Sequence, residues 1–143
     1  MLAGLGLALY FKHRTWLPIP LDYLLRQLIA IPLFLTGLTV RYWAIKKLGQ
    51  FFTADVTIHR QHRLITTGLY QHLRHPAYSG LLLALLAAGL AMGDYLAFLA
   101  LTAPVYWAIN KRIEIEEQML LQSFDAEYLE YCKHSWKLLP WIH

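Results

Sequence analysis

The chain has a single cysteine and little charge for its length. Cys132 is the only cysteine among 143 residues, which excludes an intramolecular disulfide and a zinc site built from several thiolates. Charged residues make up 15% of the sequence, against roughly 25% in ordinary soluble domains. Hydrophobic residues make up 57%, in segments too continuous to leave a solvent-facing side on a soluble helical bundle. This composition indicates one membrane-embedded domain.

The excess of basic residues also bears on the partners of the chain. The formal net charge is +4, and a basic chain is a candidate for binding nucleic acid. Its Lys and Arg residues, however, lie beside apolar segments and form no stripe with interleaved aromatic residues. We therefore expect contacts with anionic lipid head groups rather than with nucleic acid.

Four apolar or amphipathic segments predict an all-α, polytopic integral membrane protein. We expect helices at about residues 1–11, 21–46, 76–92 and 94–132 of a single domain covering residues 1–143. The second segment is long enough for a hydrocarbon core of about 30 Å, which takes roughly 20 helical residues. Gly93 and Asp94 interrupt the later apolar run, which predicts an antiparallel helix hairpin, followed by a C-terminal polar helix.

Residues 48–77 form the one long polar insertion and carry four of the seven histidines. Long irregular connections in compact proteins are usually functional or disordered, and this composition favours function. A short run at 55–58 has β-like residues. Six Lys and Arg residues lie in 41–78 and four in 111–143. Because basic loops stay in the cytoplasm, the insertion and the C-terminal segment are expected to face each other there.

The insertion ends in the run Arg74-His75-Pro76-Ala77-Tyr78-Ser79-Gly80. Pro76 suits the first turn of a helix, and His75 and Tyr78 would then lie one turn apart and address the same ligand. Polar groups at the edge of a membrane are expensive to keep and usually mark a site. A helix cap with interfacial aromatic and basic anchors explains the spacing equally well.

A second polar group follows the hairpin, in the run Arg112-Ile113-Glu114-Ile115-Glu116-Glu117. Arg112 and Glu116 share one helix face, where an exposed ion pair would contribute only about 0.3–0.5 kcal/mol. Three acids in four positions repel one another unless cations or hydrogen-bond donors meet them, which favours a functional role for Glu116. Further on, Phe124, Tyr128 and Tyr131 share a face that is expected to pack against the functional region.

Metal binding is the competing interpretation of the histidines. His59 and His62 are three residues apart, as are His72 and His75, and two such pairs could ligate zinc. The second pair straddles the predicted helix start, and no pattern of supporting residues is evident. We therefore predict no metal site.

Two stretches resemble the isoprenylcysteine carboxyl methyltransferase family, to which phospholipid N-methyltransferases are related. They are HRLITTGLYQHLRHPAYSG at 62–80 and RIEIEEQMLLQSFDAEYLEYCKHSWKLLPWI at 112–142, in family order and separated by the hairpin. Asp125 departs from the family, in which glycine is common at this position.

The resemblance implies a membrane enzyme that uses S-adenosylmethionine, releases S-adenosylhomocysteine and methylates a lipophilic acceptor from the bilayer, with a carboxylate as the expected acceptor group. Arg112 and Glu116 are the expected catalytic residues, and Arg112 and Arg74 are expected to bind the substrate. The expected cofactor contacts are His62, Arg63, Leu64, Ile65, Tyr70, His75, Pro76, Ala77, Tyr78 and Glu116. The alternatives are N-methylation of a phospholipid head-group amine, and a non-catalytic membrane adaptor or lipid-binding protein.

Overall fold

Helices account for nearly all regular structure in the described part of the chain. The structure, a computed structural model, describes residues 2–49 and 64–138. Its elements are α1 (Leu2–Arg14), α2 (Tyr23–Leu48), a 3-10 turn (Gly68–Gln71), α3 (Pro76–Met92) and α4 (Tyr95–Lys133). These two ranges contain only isolated β-bridges and no strand, so the all-α prediction is confirmed for them. The β-like run at 55–58 lies outside the described residues.

Helices α3 and α4 form the antiparallel hairpin that the sequence predicts. Gly93 ends α3 with φ +78°, a left-handed conformation that glycine adopts without steric cost. Asp94 then caps α4, because its Oδ1 accepts hydrogen bonds from the backbone N–H groups of Leu96 (2.9 Å) and Ala97 (3.0 Å). Two adjacent residues therefore form the turn: Gly93 ends α3 and Asp94 begins α4.

The connection between α1 and α2 is fastened to this turn. Asp94 is fully buried, and its Oδ2 accepts a hydrogen bond from the backbone N–H of Leu17 at 2.8 Å. The backbone N–H of Tyr95 donates to the Leu17 carbonyl at 2.9 Å, and that of Ile19 donates to the Gly93 carbonyl at 2.9 Å. We call the end of the molecule formed by residues 15–22 and 93–94 the distal end.

Helices α2 and α3 approach each other closely enough for their backbones to touch. A Cβ atom on Gly37 would lie 2.6 Å from the backbone nitrogen of Ala84 and 2.7 Å from the carbonyl oxygen of Gly80. A Cβ on Gly80 would lie 2.6 Å from the carbonyl oxygen of Gly37. Small residues at both faces therefore allow the contact, as in many helix pairs within membranes.

The outer surface of α2 is apolar and exposed. Leu24, Leu28, Ile31 and Leu35 follow one another at helical spacing on this face. Of the helices within residues 2–49 and 64–138, only the 26-residue α2 is long and apolar enough to cross a membrane. Helix α3 is apolar but has 17 residues.

We call the opposite end of the molecule the proximal end. It is formed by residues 72–75, which precede α3, and residues 134–138, which follow α4. The backbone N–H of Trp136 donates to the His72 carbonyl at 2.9 Å, and that of Arg74 donates to the Trp136 carbonyl at 2.8 Å. Leu138 joins a buried cluster with Ile109 and Ile113 of α4. The segment before α3 and the segment after α4 therefore lie side by side.

Candidate functional site

The first turn of α3 supplies the buried residues at the centre of the proximal end. Pro76 occupies the start of the helix, and the backbone N–H groups of Tyr78 and Ser79 both donate to the His75 carbonyl at 3.0 Å. His75, Pro76 and Ala77 are all buried. Because proline has a fixed φ and no N–H to satisfy, it favours helix initiation here and orients the side chains on either side of it.

Glu116 joins this turn to α4. Its Oε1 accepts a hydrogen bond from the Tyr78 hydroxyl at 2.6 Å and another from Arg112 Nε at 2.8 Å. Tyr78 and Glu116 are 38 residues apart in the sequence, yet both belong to the set of expected ligand-binding residues. The structure therefore brings the two predicted polar groups into direct contact.

The imidazole of His75 lies between two carboxylates. Its Nε2 is 3.2 Å from Glu117 Oε1, within hydrogen-bond distance. Its Nδ1 is 3.7 Å from Glu116 Oε2, which is longer than a hydrogen bond. The ring centroids of His75 and Tyr78 are 5.9 Å apart, so both expected ligand-binding rings face the same part of α4.

Arg74 ties the same region to the end of α4. Its Nε donates to Glu117 Oε1 at 2.9 Å, and its Nη1 donates to the carbonyl oxygens of Ser135 (2.7 Å) and Cys132 (3.3 Å). Its side chain is only 9% exposed. These contacts are those of a residue that holds segments together, whereas the sequence predicts contact with the substrate.

Every carboxylate of the crowded acidic run has a cationic partner. Glu114 faces Lys111 at 2.9 Å, Glu116 faces Arg112, and Glu117 faces Arg74, His75 and, at 3.9 Å, Lys137. Burial raises the pKa of Glu117, but hydrogen bonds from His75 and Arg74 and the positive charge nearby outweigh this and lower that pKa to about 2. Glu117 is therefore an ionised carboxylate at neutral pH.

Tyr70 lies in the 3-10 turn and is buried. Its hydroxyl donates to the Ala44 carbonyl of α2 at 3.4 Å, and its own carbonyl accepts a hydrogen bond from the Tyr131 hydroxyl at 2.6 Å. Burial, with the nearby charge of Glu116 as a smaller cause, raises the pKa of Tyr70 above its ordinary value. The contact of Tyr131 agrees with the prediction that the aromatic face of α4 packs against the functional region.

The structure describes only some of the remaining predicted cofactor contacts. Ile65 packs against the cluster of Ala44, Tyr70 and Ala77, and Leu64 is half-buried beside it in the sequence. His62 and Arg63 lie outside the described residues. So do residues 50–61 of the loop at 48–77, including His59 of the alternative metal site. Within 2–49 and 64–138, no three His, Cys, Asp or Glu side chains are grouped as metal ligands.

Two residues of the site were not predicted from the sequence. Glu117 contacts Arg74 and His75, and Arg41 of α2 donates from its Nη1 to the Ala77 carbonyl at 3.1 Å. Glu117 belongs to the acidic run that drew attention to Glu116, which was a usable signal. Arg41 had no such signal, because its contact depends on how closely α2 and α3 pack.

The comparisons with known proteins agree in one family. Residues 29–122 match the sequence model of the isoprenylcysteine carboxyl methyltransferase family. A probable protein-S-isoprenylcysteine O-methyltransferase of Oryza sativa subsp. indica is 33% identical over 123 residues, which cover 85% of this chain and 64% of the relative. A protein-S-isoprenylcysteine O-methyltransferase of Dictyostelium discoideum is 31% identical over 109 residues, covering 75% and 46%.

The fold is also similar to that of a solved membrane enzyme. The eukaryotic intramembrane Ras methyltransferase, an isoprenylcysteine carboxyl methyltransferase, superimposes with a TM-score of 0.78 at 24% sequence identity. The match covers 99% of this chain and 50% of the other. The chain thus spans about half of that enzyme and less than two thirds of the curated relatives described above.

Proposed function

Because the chain belongs to the isoprenylcysteine carboxyl methyltransferase family, we propose that it transfers a methyl group from S-adenosylmethionine to the carboxylate of a lipophilic acceptor in the membrane. The observation that carries this proposal is the contact of Tyr78 and Arg112 with the same oxygen of Glu116. Two sequence motifs of the family meet there at one point.

The residues at this point fit the proposed cofactor. When bound, S-adenosylmethionine supplies a methyl group that its sulfonium charge has already activated. Glu116 offers negative charge to a cationic ligand, and the rings of Tyr78 and His75 offer apolar and aromatic surfaces beside it. We assign cofactor binding to His62, Arg63, Leu64, Ile65, Tyr70, His75, Pro76, Ala77, Tyr78 and Glu116.

The task left to the protein is to align the acceptor with the methyl group and to exclude water. We assign Arg112 to the acceptor carboxylate, because a guanidinium binds a carboxylate through paired, charge-assisted hydrogen bonds. The Arg112 side chain is 38% exposed and can be reached by a ligand. The contacts of Arg74 favour a positioning role over direct contact with the acceptor.

The same proposal includes a polytopic chain with its site in the cytoplasm. Helices α2, α3 and α4 run between the distal and proximal ends in alternating directions, and the outer face of α2 is apolar. The Lys and Arg residues concentrate in 41–78 and 111–143, which favours a cytoplasmic proximal end. We also assign residues 1–143 to a single domain, with the cofactor entering from the cytosol and the acceptor from the bilayer.

Calorimetric titration with S-adenosylhomocysteine tests the cofactor assignment on the detergent-solubilised protein. Glu116→Ala removes a charged hydrogen-bond acceptor, so affinity should fall on the order of tenfold or more. Glu114→Ala is the control, because it removes a carboxylate two positions away that pairs with exposed Lys111. The Glu114→Ala variant should bind S-adenosylhomocysteine with the affinity of the unsubstituted protein. Equal affinities for the two variants would remove Glu116 from the site. Failure of the unsubstituted chain to bind would favour a membrane adaptor or lipid-binding protein.

Transfer of label from radioactive S-adenosylmethionine to membrane lipids and proteins tests the acceptor. Base treatment releases label from a methyl ester but not from an N-methyl amine, so release supports carboxyl methylation and retention supports a phospholipid head-group amine. Arg112→Lys should reduce the transfer, because an ammonium cannot replace a planar guanidinium fork. Unchanged transfer by this variant would exclude Arg112 from acceptor binding.

A further inference from the structure

Glu117 lies where three parts of the chain meet at the proximal end. Its Oε1 is 2.9 Å from Arg74 Nε and 3.2 Å from His75 Nε2, and its Oε2 is 3.9 Å from Lys137 Nζ. The Glu117 side chain is 23% exposed and that of His75 is 7% exposed. A carboxylate in this setting can determine how a buried imidazole is held.

We propose that Glu117 is a positioning residue that fixes the tautomer and the ring orientation of His75, so that Nδ1 faces Glu116 and the cofactor. This inference rests on the proposed function, because it concerns how one of the assigned cofactor contacts is prepared. It extends that function to a residue that would not touch the cofactor itself.

The chemistry of the two groups determines the tautomer. An ionised carboxylate has no proton and can only accept a hydrogen bond. The hydrogen bond at 3.2 Å therefore requires that Nε2 of His75 carries a proton. In a neutral imidazole the other nitrogen, Nδ1, is then an acceptor. Because the ring is buried, water is a poor substitute for Glu117 as the orienting partner.

The position of Nδ1 indicates what this orientation achieves. Nδ1 lies 3.7 Å from Glu116 Oε2, so that an acceptor nitrogen and a carboxylate oxygen face each other without a hydrogen bond between them. A ligand group with N–H or O–H donors could bind to both atoms. S-adenosylmethionine carries such donors on its ammonium group and its ribose, and the opposite tautomer would present the wrong hydrogen-bonding group to them.

Arg74 completes the arrangement. Its Nε donates to the same oxygen, Glu117 Oε1, while its Nη1 donates to the Ser135 carbonyl at 2.7 Å. The guanidinium thereby holds the carboxylate in position and links it to the main chain at the end of α4. Hydrogen-bond partners of metal-bound histidines fix the tautomer in the same way. Losing such a partner typically costs 10–100-fold in metal affinity or activity.

The test combines nitrogen NMR of the His-labelled, detergent-solubilised protein with titration of S-adenosylhomocysteine. Spectra are recorded at about pH 8.5, well above the ordinary histidine pKa of about 6.5, and His75 signals are identified by their loss in His75→Asn. Glu117→Gln replaces an acceptor with an amide that can either donate or accept. We expect a single Nε2–H tautomer in the unsubstituted protein, and in Glu117→Gln a mixture of tautomers with roughly tenfold weaker binding.

Glu114→Gln is the matched control, since it makes the same change on the same helix at the exposed pair with Lys111. It should leave both the tautomer and the affinity unaltered. A proton on Nδ1 of His75 in the unsubstituted protein would overturn the inference even if Glu117→Gln failed to fold. Native tautomer and native affinity in a folded Glu117→Gln would overturn it as well. Absence of binding by the unsubstituted chain would instead count against the proposed function.

Discussion

At the scale of single residues, the acidic run of α4 shows how a crowded set of charges is accommodated. Glu114 points to an exposed lysine, whereas Glu116 and Glu117 turn toward the first turn of α3. Mutual repulsion is offset because each carboxylate meets a different cation. Glu117 is therefore held by long-range partners, Glu116 by Arg112 on its own helix and Tyr78 on α3, and the exposed Glu114 by a neighbour on its own helix.

The lowered pKa of Glu117 makes stability depend on pH. Its pKa falls from 4.5 to about 2 in the folded state, which corresponds to on the order of 3 kcal/mol of stability. A carboxylate whose pKa is lowered by folding contributes its full stabilisation at pH values above its pKa in the unfolded chain. This stabilisation is lost as the pH falls toward its pKa in the folded protein. In unfolding experiments in detergent, the contribution of Glu117 should therefore fall by up to about 1.4 kcal/mol per pH unit between about pH 4.5 and pH 2.

Comparison with Glu117→Gln isolates this contribution, because the amide does not titrate. The stability difference between the two proteins should be largest near neutral pH and shrink between about pH 5 and pH 2. Arg74, His75 and Lys137 are the charged or titratable groups that face Glu117 in the described residues. A difference that stays constant across this range would contradict the assignment of an ionised, paired carboxylate.

Asp125 adopts a backbone conformation that suits glycine. Its φ of 39° and ψ of −111° interrupt α4, and positive φ costs a residue with a side chain about 1–2 kcal/mol. Asp125→Gly should therefore stabilise the protein by roughly 1 kcal/mol, after allowing for the greater entropy loss of glycine on folding. Thermal or denaturant unfolding in detergent measures the change.

Glu127→Gly is the control for this substitution. Glu127 is exposed and has a regular helical setting two positions further along α4. Glycine there should destabilise the protein by up to about 1 kcal/mol, since it only removes helix propensity. Opposite signs for the two glycine substitutions are the expected result. A loss of stability in both would show that Asp125 is not strained.

The residues of the site could be predicted from the sequence only in part. The contact between Arg112 and Glu116 follows from their i,i+4 spacing on a helix, and the structure shows it directly. The partners of Glu117 lie 42 and 43 residues away, and local spacing contains no information about such pairs. The family resemblance supplied the pairing of motifs, but not which carboxylate contacts which cation.

At the scale of helices, the predicted start of α3 and the turn after it depend on strong local signals. Pro76 begins α3, and Gly93-Asp94 separates it from α4, because proline, glycine and aspartate have strict backbone preferences. Helix α1 continues through Lys12, His13 and Arg14 beyond its apolar segment. Basic side chains are favourable at a helix C-terminus, so the end of the apolar run did not mark the end of α1.

The close contact of α2 and α3 gives a sharp prediction for Gly37. In Gly37→Ala the new Cβ would lie 2.6 Å from a backbone nitrogen of α3, so the helices must separate. We expect a loss of about 1–3 kcal/mol, the usual cost of overpacking. Denaturant titration of the purified protein in detergent measures it.

Gly6→Ala provides the control on another helix. Nothing lies within 4 Å of a Cβ placed on Gly6, so this substitution should be neutral or stabilise the chain by up to about 1 kcal/mol through helix propensity. If Gly37→Ala were as harmless as Gly6→Ala, the backbones of α2 and α3 would not be in contact in the protein.

At the scale of the whole molecule, the two ends of the helical assembly have different characters. The proximal end carries the carboxylates, His75 and the paired segments around 72–75 and 136–137, whereas the distal end carries Asp94 and the α1–α2 connection. The sequence left the direction of α1 open. Its placement follows from contacts, since a Cβ on Gly4 would lie 3.0 Å from the carbonyl of Ala100, while Leu17 is bonded to Asp94.

These opposite ends should lie on opposite sides of the membrane, and the single cysteine makes the test simple. On a Cys132→Ser background, Trp16→Cys places a thiol in the distal connection and His134→Cys places one after α4, both at exposed positions. A membrane-impermeant maleimide applied to intact cells should label the Trp16 variant and reach the His134 variant only after permeabilisation. This expectation follows from the positive-inside rule, since most of the Lys and Arg residues in the described ranges lie toward the proximal end. Labelling of both variants from outside would place the two ends on one side, and the carboxylates of α4 would then be out of reach of a cytosolic cofactor.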